Sequence, residues 1–331
     1  MENSIINTAR KSYSRVLGSV AAYIVISIAL IYLADIITLI TIGPDRFIAL
    51  EENSYYLWGM QLLPYFIAFP LFILFVRKMP SAKRESSPIS AEEFGYIFLI
   101  SQAISMAGSI ISGWVVSFFE MILGHEIANT TSELIDKTPI WIIIIIVVIV
   151  GPIVEEMIFR KLMIDKLSVY GDRLAVVISA VAFGIFHGNF YQLFYATALG
   201  FVFGYMYTKT GRSQYNCLLH MAVNFMGTIP SLLTLDAYER LSSLPEDAMI
   251  QGNLIIDYYL VTFTSYLQIG LAIAGAIILI NAIRKHKIEF TNNQSLVLDK
   301  KDYPRVVFLS FGSIAFLVVC IAECIFSLFV Q

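Results

Sequence analysis

Long runs of apolar residues fill most of the chain, and short polar segments separate them. The runs that could span a membrane are residues 16–42, 57–76, 94–119, 139–159, 174–188, 190–208, 214–235, 258–283 and 306–330. A helix needs about 20 mostly apolar residues to cross about 30 Å of hydrocarbon, and most of these runs approach that length. The run 174–188 is short. The pattern therefore predicts an all-α transmembrane helix bundle of eight or nine spans.

The composition supports this interpretation and excludes an ordinary soluble domain. Hydrophobic residues make up 58% of the chain and charged residues 14%, whereas soluble domains average about 45–50% and about 25%. Arg10, Lys11 and Arg15 precede the first apolar run, which has no small-residue cleavage site, so we expect this run to remain as an anchor. The sequence predicts an integral membrane protein that contacts the lipid bilayer and binds no nucleic acid.

Basic and acidic connections alternate along the chain. The basic connections contain Arg10, Lys11 and Arg15; Arg77, Lys78, Lys83 and Arg84; Arg160, Lys161, Lys166 and Arg173; Lys209 and Arg212; and Arg284, Lys285, Lys287, Lys300, Lys301 and Arg305. The acidic connections contain Asp45, Glu51 and Glu52; Glu126, Glu133 and Asp136; and Asp236, Glu239, Glu246 and Asp247. Because basic loops stay on the cytoplasmic side, we expect a cytoplasmic N-terminus and an external C-terminus.

Three ionisable side chains lie at the end of an isoleucine-rich run: Glu155, Glu156 and Arg160. A charged group inside a membrane costs about 2.5–3.5 kcal/mol on insertion scales, which makes it a functional candidate. Glu156 and Arg160 are four residues apart and can pair along one helix face. Such a pair could also be purely structural. Glu155 points to another face, has no local cation and suits a general base.

Two histidines also lie inside apolar runs, each with a partner one helical turn away. Phe183 precedes His187 by four residues, and His220 precedes Asn224 by four, so each pair shares a helix face. A lone buried histidine is more often a packing residue, but here two occur near the glutamates in sequence. The other histidines, His125 and His286, lie in polar connections.

Glycines at i and i+4 accompany the first of these histidines. The pairs are Gly184 with Gly188 and Gly200 with Gly204. Small residues at this spacing let helices approach closely, so we expect tight packing here.

These polar residues could together hydrolyse a bond. Glu155 and His187 could activate a water, either by removing its proton or as ligands of a metal. His220 and Asn224 could donate hydrogen bonds to a developing oxyanion, an interaction worth about 3–4 kcal/mol per donor. Intramembrane Glu and His also build proton relays, so a transporter is an alternative. Transporters usually show internal repeats, which we do not find.

The three motifs resemble those of the CPBP family of membrane CAAX-processing and bacteriocin-processing proteases, which includes type II CAAX prenyl endopeptidases. The family pattern E-E-x-x-x-R, F-x-x-x-H and H-x-x-x-N matches at Glu155-Glu156 with Arg160, at Phe183 with His187, and at His220 with Asn224. The resemblance implies that Glu155 and His187 activate the water and that His220 and Asn224 support the oxyanion. It leaves Glu156 and Arg160 to hold the site together or contact the substrate.

The resemblance covers about residues 139–235. It implies a catalytic core there, with three spans in residues 1–138 and two in residues 236–331. The substrate would be a peptide precursor or prenylated protein, membrane proteins would be further partners, and the location would be a bacterial cell membrane. No cofactor is certain, and a divalent metal such as zinc stays open, although metal-independent catalysis is favoured. A non-catalytic scaffold or bacteriocin self-immunity protein with the same fold is the alternative.

The charge-derived topology constrains the helix that contains His187. Counted from the basic residue Arg173, His187 lies at the far end of a short helix. We therefore expect a half-span that ends in a buried turn, because irregular backbone at membrane depth must be covered by protein or line a watery cavity.

Overall fold

The computed structural model describes residues 2–245, 250–285 and 298–329, and all regular structure in these ranges is helical. The predicted all-α bundle is confirmed. Of the residues used in the sequence predictions, Glu246, Asp247, His286 and Lys287 lie outside the described ranges, as does Val330 at the end of the last predicted run.

Thirteen helices can be distinguished in the described ranges. They are α1 (Glu2–Ile42), α2 (Pro44–Glu51), α3 (Ser54–Phe66), α4 (Ala68–Val76), α5 (Ala91–Leu123), α6 (Thr130–Asp136), α7 (Ile140–Tyr170), α8 (Asp172–Phe186), α9 (Phe190–Thr210), α10 (Ser213–Ser242), α11 (Asn253–Arg284), α12 (Tyr303–Val307) and α13 (Phe311–Ser327). Helix α7 contains two π-helical stretches, Ile144–Val150 and Met157–Ile164, and ends in a 3₁₀ turn.

Fewer helices are long and apolar enough to span a membrane than the sequence runs suggest. Among the described residues six qualify: α1, α3 with α4, α5, α7, α10 and α11; the bent pair of residues 300–307 and 311–327 raises the number to seven. Helix α8 has 15 residues, about 22 Å at 1.5 Å per residue, which is less than the hydrocarbon thickness. Helix α9 has 21 residues, but its tyrosines and Gln192 lower its hydropathy.

Helices α8 and α9 form a hairpin whose turn is the end of the predicted half-span. Helix α8 ends at Phe186, the chain reverses over His187–Asn189, and α9 returns from Phe190. Gly188 has φ +64° and allows the reversal. It therefore lies in the turn and not on the helix face that its spacing with Gly184 suggested.

The other three glycines of the predicted pairs do lie at a helix contact. A Cβ at Gly184 would be 1.8 Å from Thr197 Oγ1, one at Gly200 would be 2.7 Å from Ala180 Cα, and one at Gly204 would be 2.7 Å from Val176 Cγ1. The predicted close approach is confirmed for these positions. These close contacts between α8 and α9 fix the hairpin that ends in the His187 turn.

Gly184→Ala is expected to destabilise the chain by about 1–3 kcal/mol, because the added methyl group overpacks the α8–α9 contact. The matched control is Gly270→Ala in α11, where the added Cβ meets nothing within 4 Å. That change should stabilise the helix slightly, since alanine is the better helix former. Thermal unfolding of the two purified variants measures the difference, and equal melting temperatures would contradict the assigned packing.

The basic ends of several helices are joined by a buried polar network. Arg84 lies in the connection between α4 and α5. Its Nε is 3.1 Å from Asp165 Oδ1, and its Nη2 is 2.8 Å from Asp172 Oδ1. It also donates to Ser168 Oγ at 2.6 Å. The Tyr207 hydroxyl donates to Asp165 at 2.9 Å. The connection is thereby fixed to α7, α8 and α9 at the end of the bundle opposite the His187 turn.

Candidate active site

A cavity of about 510 Å³ lies among α3, α5, α7, α9 and α10 and contains most of the predicted site residues. Glu155, His187, His220 and Asn224 line it. Glu156 and Arg160 lie behind it and are fully buried. The structure thus brings together residues from two helices and a turn that are widely separated in sequence.

His220 lies between the two glutamates. Its Nδ1 is 3.0 Å from Glu156 Oε1, and its Nε2 is 3.7 Å from Glu155 Oε2. The glutamates point to different faces of α7, as predicted, and contact the imidazole from two sides. The Glu155 side chain keeps 22% of its surface exposed, whereas the Glu156 side chain has none. Glu155 is therefore the carboxylate that can meet water.

Arg160 is enclosed by aromatic rings beside the glutamate pair. Its Nε is 3.3 Å from Glu156 Oε2, which confirms the predicted i,i+4 pair. The guanidinium carbon lies 4.4 Å from the centre of the Phe183 ring, 5.1 Å from that of Phe203 and 5.9 Å from that of Phe159. Ring faces attract cations, most strongly where water is excluded. The charge is thus held by one carboxylate and three rings.

His187 is oriented by the last turn of α8. Its Nδ1 is 2.8 Å from the carbonyl oxygen of Phe183, and the two rings are 5.0 Å apart in an edge-on arrangement. Since a carbonyl oxygen only accepts, Nδ1 carries the proton and donates it. Nε2 then has a free lone pair, and the ring lines the cavity.

Asn224 is fixed by a backbone oxygen of a π-helical stretch. Its Nδ2 donates to the Val147 carbonyl oxygen at 2.9 Å. An amide nitrogen has two hydrogens, so one remains for another acceptor. His220 and Asn224 both line the cavity from α10, as their spacing predicted.

The start of α9 adds polar residues to the cavity that were not predicted as site residues. Gln192 donates from Nε2 to the Tyr195 hydroxyl at 2.9 Å and accepts from Asn189 Nδ2 at 2.9 Å. Gln192, Tyr195 and Tyr191 all line the cavity. The signal was present in the sequence, because Gln192 and Tyr195 are three residues apart in an otherwise apolar run.

The donor set does not fit a metal ion. In the described ranges no group of three or more His, Cys, Asp or Glu side chains is arranged to hold one. His220 uses one ring nitrogen on Glu156, and that carboxylate also faces Arg160. Zinc sites usually have three or four protein ligands, so the zinc alternative finds no support in this geometry.

Comparison with known proteins identifies relatives that share this region. A family model described as "Type II CAAX prenyl endopeptidase Rce1-like" matches residues 137–226. "Putative membrane peptidase YdiL" of Bacillus subtilis (strain 168) is 31% identical over 212 residues, which cover 61% of this chain and 84% of the relative. "Membrane-embedded CAAX protease MroQ" of Staphylococcus aureus (strain USA300) is 29% identical over 127 residues, 35% of this chain and 51% of the relative. No solved structure gives a significant match.

The family match covers all six predicted site residues, and the identity to the Bacillus subtilis relative extends over most of that protein. The helical bundle and its candidate membrane spans agree with the names of both relatives. This chain is an integral membrane protein that belongs to the Rce1-like family of type II CAAX prenyl endopeptidases.

Proposed function

We propose that the chain is an intramembrane endopeptidase in which Glu155 and His187 activate a water for attack on a peptide bond. The observation that carries the proposal is a cavity that Glu155, His187 and His220 line together, with the buried Glu156–Arg160 pair directly behind it. The cavity supplies the water-accessible space that hydrolysis needs inside an apolar bundle. The proposed catalytic core is residues 139–235, flanked by the helices of residues 1–138 and 236–331.

Glu155 is the proposed general base. At 3.7 Å from His220 Nε2 it makes no hydrogen bond to that ring, so its oxygens are free for a water. In the proposed reaction the water oxygen attacks the carbonyl carbon, and its proton passes to Glu155. His187 holds the same water through the lone pair of Nε2. When the carbon–nitrogen bond breaks, the proton on Glu155 passes to the leaving amine.

His220 and Asn224 are the proposed oxyanion donors. Glu156 Oε1 accepts a hydrogen bond from His220 Nδ1 at 3.0 Å and orients the ring so that Nε2 faces the cavity. Nε2–H and the uncommitted hydrogen of Asn224 Nδ2 then donate to the oxygen of the tetrahedral intermediate. Arg160 positions Glu156 and does not itself reach the cavity lining.

His187→Ala is expected to lower peptide hydrolysis by about 100-fold or more, since a positioned acid–base group contributes about 10²–10⁴-fold. The assay uses the purified full chain in bilayer nanodiscs with quenched-fluorescence peptides. Mass spectrometry of products formed in H₂¹⁸O shows whether water oxygen enters the new carboxylate. The matched control is His125→Ala, which removes a partly exposed histidine that does not line the cavity.

Full activity of His187→Ala would remove His187 from the mechanism. If no peptide is cleaved by the unmodified chain, while the variants fold and locate normally, the non-catalytic scaffold or self-immunity alternative replaces the peptidase.

Metal chelators are expected to leave hydrolysis unchanged within about twofold, because the proposed base acts on water without a Lewis acid. The measurement is the rate after dialysis against EDTA and against 1,10-phenanthroline, with a zinc peptidase treated in parallel to show that the chelators work. A loss of activity that added Zn²⁺ restores would contradict the metal-independent mechanism.

The bacterial origin of both relatives supports a bacterial cell membrane as the location. The placement of the basic connections supports a cytoplasmic N-terminus. The proposed substrates are peptide precursors or prenylated proteins held at the membrane, and other membrane proteins are proposed partners.

A further inference from the structure

The catalytic cavity extends from the catalytic groups towards the end of the bundle with the acidic connections. Helix α5 lines it with Ser109, Ser112 and Gly113 from its second half, and α10 lines it beyond Asn224 with Thr228 and Ser231. The connection between α5 and α7 contributes Asn129, Thr131, Ser132, Ile135 and Asp136. This connection also packs on the His187 turn, since the Tyr191 hydroxyl donates to the Ile127 carbonyl oxygen at 2.7 Å.

The opposite end of the same helices contributes nothing to the cavity lining. There Arg84 joins Asp165 and Asp172, and Lys166 donates to the Met79 carbonyl oxygen at 2.8 Å. None of these residues lines the catalytic cavity. The exposed residues of the lining lie on the connection that contains α6, at Thr131 and Asp136, and on α5 and α10, at Ser109, Gly113, Gly227 and Ser231.

Apart from the two catalytic histidines, the ionisable side chains of the described cavity lining are carboxylates or tyrosine hydroxyls. Within the described residues the lining includes the carboxylates Asp136 and Glu155 and no lysine or arginine. The same connection contains Glu126 and Glu133 and one lysine, Lys137, so its acidic residues are in excess. A cleft lined by one sign of charge concentrates ligands of the opposite sign. The described lining has no lysine or arginine to pair with a free terminal carboxylate of a substrate.

We propose that the substrate is a neutral or basic peptide segment on the external side of the membrane, which reaches Glu155 past Asp136 and α6. This inference rests on the proposed peptidase function of the cavity. The basic ends of the helices are on the cytoplasmic side by the positive-inside rule, so the end at which the cavity lining continues is external. A peptide with acidic residues near the scissile bond is repelled.

The side of access is tested by thiol labelling of the full chain in intact bacterial cells. Thr131→Cys places a thiol on the cavity lining, at an exposed position of α6. Ser87→Cys places one at an exposed position of the basic α4–α5 connection. A membrane-impermeant maleimide is expected to label Thr131→Cys in intact cells and Ser87→Cys only after permeabilisation. The unmodified chain, whose cysteines lie within helices, is the blank.

The charge preference is tested with purified chain and three quenched-fluorescence peptides. They share one apolar core sequence and carry three added lysines, no added charge or three added glutamates. We expect the lysine peptide to be cleaved about 10-fold faster than the glutamate peptide at low salt. Asp136→Lys should reduce or reverse that ratio, whereas Glu92→Lys at an exposed position near the basic end should leave it unchanged.

The outcomes separate the inference from the function on which it rests. Cleavage that needs Glu155, combined with labelling of Thr131→Cys only after permeabilisation, overturns external access and leaves the peptidase intact. Cleavage that favours the glutamate peptide overturns the charge preference alone. If none of the three peptides is cleaved in a Glu155-dependent way, the peptidase proposal fails, and the substrate inference fails with it whatever the labelling shows.

Discussion

Glu155→Gln is expected to lower the rate of peptide hydrolysis by about 10³- to 10⁴-fold, the upper part of the range for a general base. Glutamine fills nearly the same space but cannot take the proton of the attacking water. Because Glu155 makes no hydrogen bond to His220 and is partly exposed to the cavity, its replacement should not disturb the surrounding helices. The measurement is the steady-state rate together with the melting temperature of the purified variant.

The control for this substitution is Glu93→Gln. Glu93 pairs with Lys209 at the basic end of the bundle, where both side chains are partly exposed, and exposed pairs add little to stability. It should keep full activity. A Glu155→Gln variant that is folded and retains more than a tenth of the activity would exclude Glu155 as the base.

Arg160→Met is expected to destabilise the folded chain by about 3–5 kcal/mol, the cost of leaving a buried charge without its partner. Methionine preserves the apolar contacts with the aromatic rings but removes the cation that pairs with Glu156. Arg160 and Glu156 are both fully buried, so solvent cannot replace the lost interaction. Unfolding of the purified variant in detergent, followed by temperature or denaturant, gives the loss.

The double variant Glu156→Gln with Arg160→Met tests the reason for that loss. With both charges removed, much of the stability should return, because no unpaired charge remains in the core. Arg240→Met is the matched control, since it breaks the pair with Asp257 at a position where the arginine side chain is 54% exposed. It should leave the unfolding nearly unchanged. If Arg160→Met unfolds like the unmodified chain, the pair does not stabilise the site.

Local spacing predicted part of the site, and tertiary packing decided the rest. Glu156 with Arg160 and Phe183 with His187 are each four residues apart, so helix geometry alone predicts their contacts. The contact of Glu156 with His220 joins residues 64 positions apart, and no periodicity encodes it. The contact of Phe203 with Arg160 could not be predicted either. Nothing in the sequence distinguishes Phe203 from the other apolar residues of its run.

The π-helical stretches limited prediction in a different way. In a π turn the backbone N–H bonds to the carbonyl oxygen of residue i−5 instead of i−4. Such turns are rare, and no sequence pattern predicts them. In α7 such stretches lie on both sides of Glu155 and Glu156, and the Asn224 amide hydrogen bonds to a carbonyl in the first of them. The apolar runs outnumber the described helices that are long and apolar enough to span a membrane for a simpler reason. Apolar runs mark buried helices as well as membrane-crossing ones, and α8 is too short to cross.

The ion pair within α7 has a consequence for how the chain is made. During synthesis α7 enters the membrane before α8, α9 and α10 exist, so His220 and the rings of Phe183 and Phe203 are not yet available to its charges. Arg160 and Glu156 lie one turn apart on the same helix and can neutralise each other as soon as that helix forms. An inserting helix with either charge alone would meet a cost of about 2.5–3.5 kcal/mol at its centre. The spacing that places the pair behind the cavity in the folded chain thus also lets the nascent helix enter the bilayer before its final neighbours are translated.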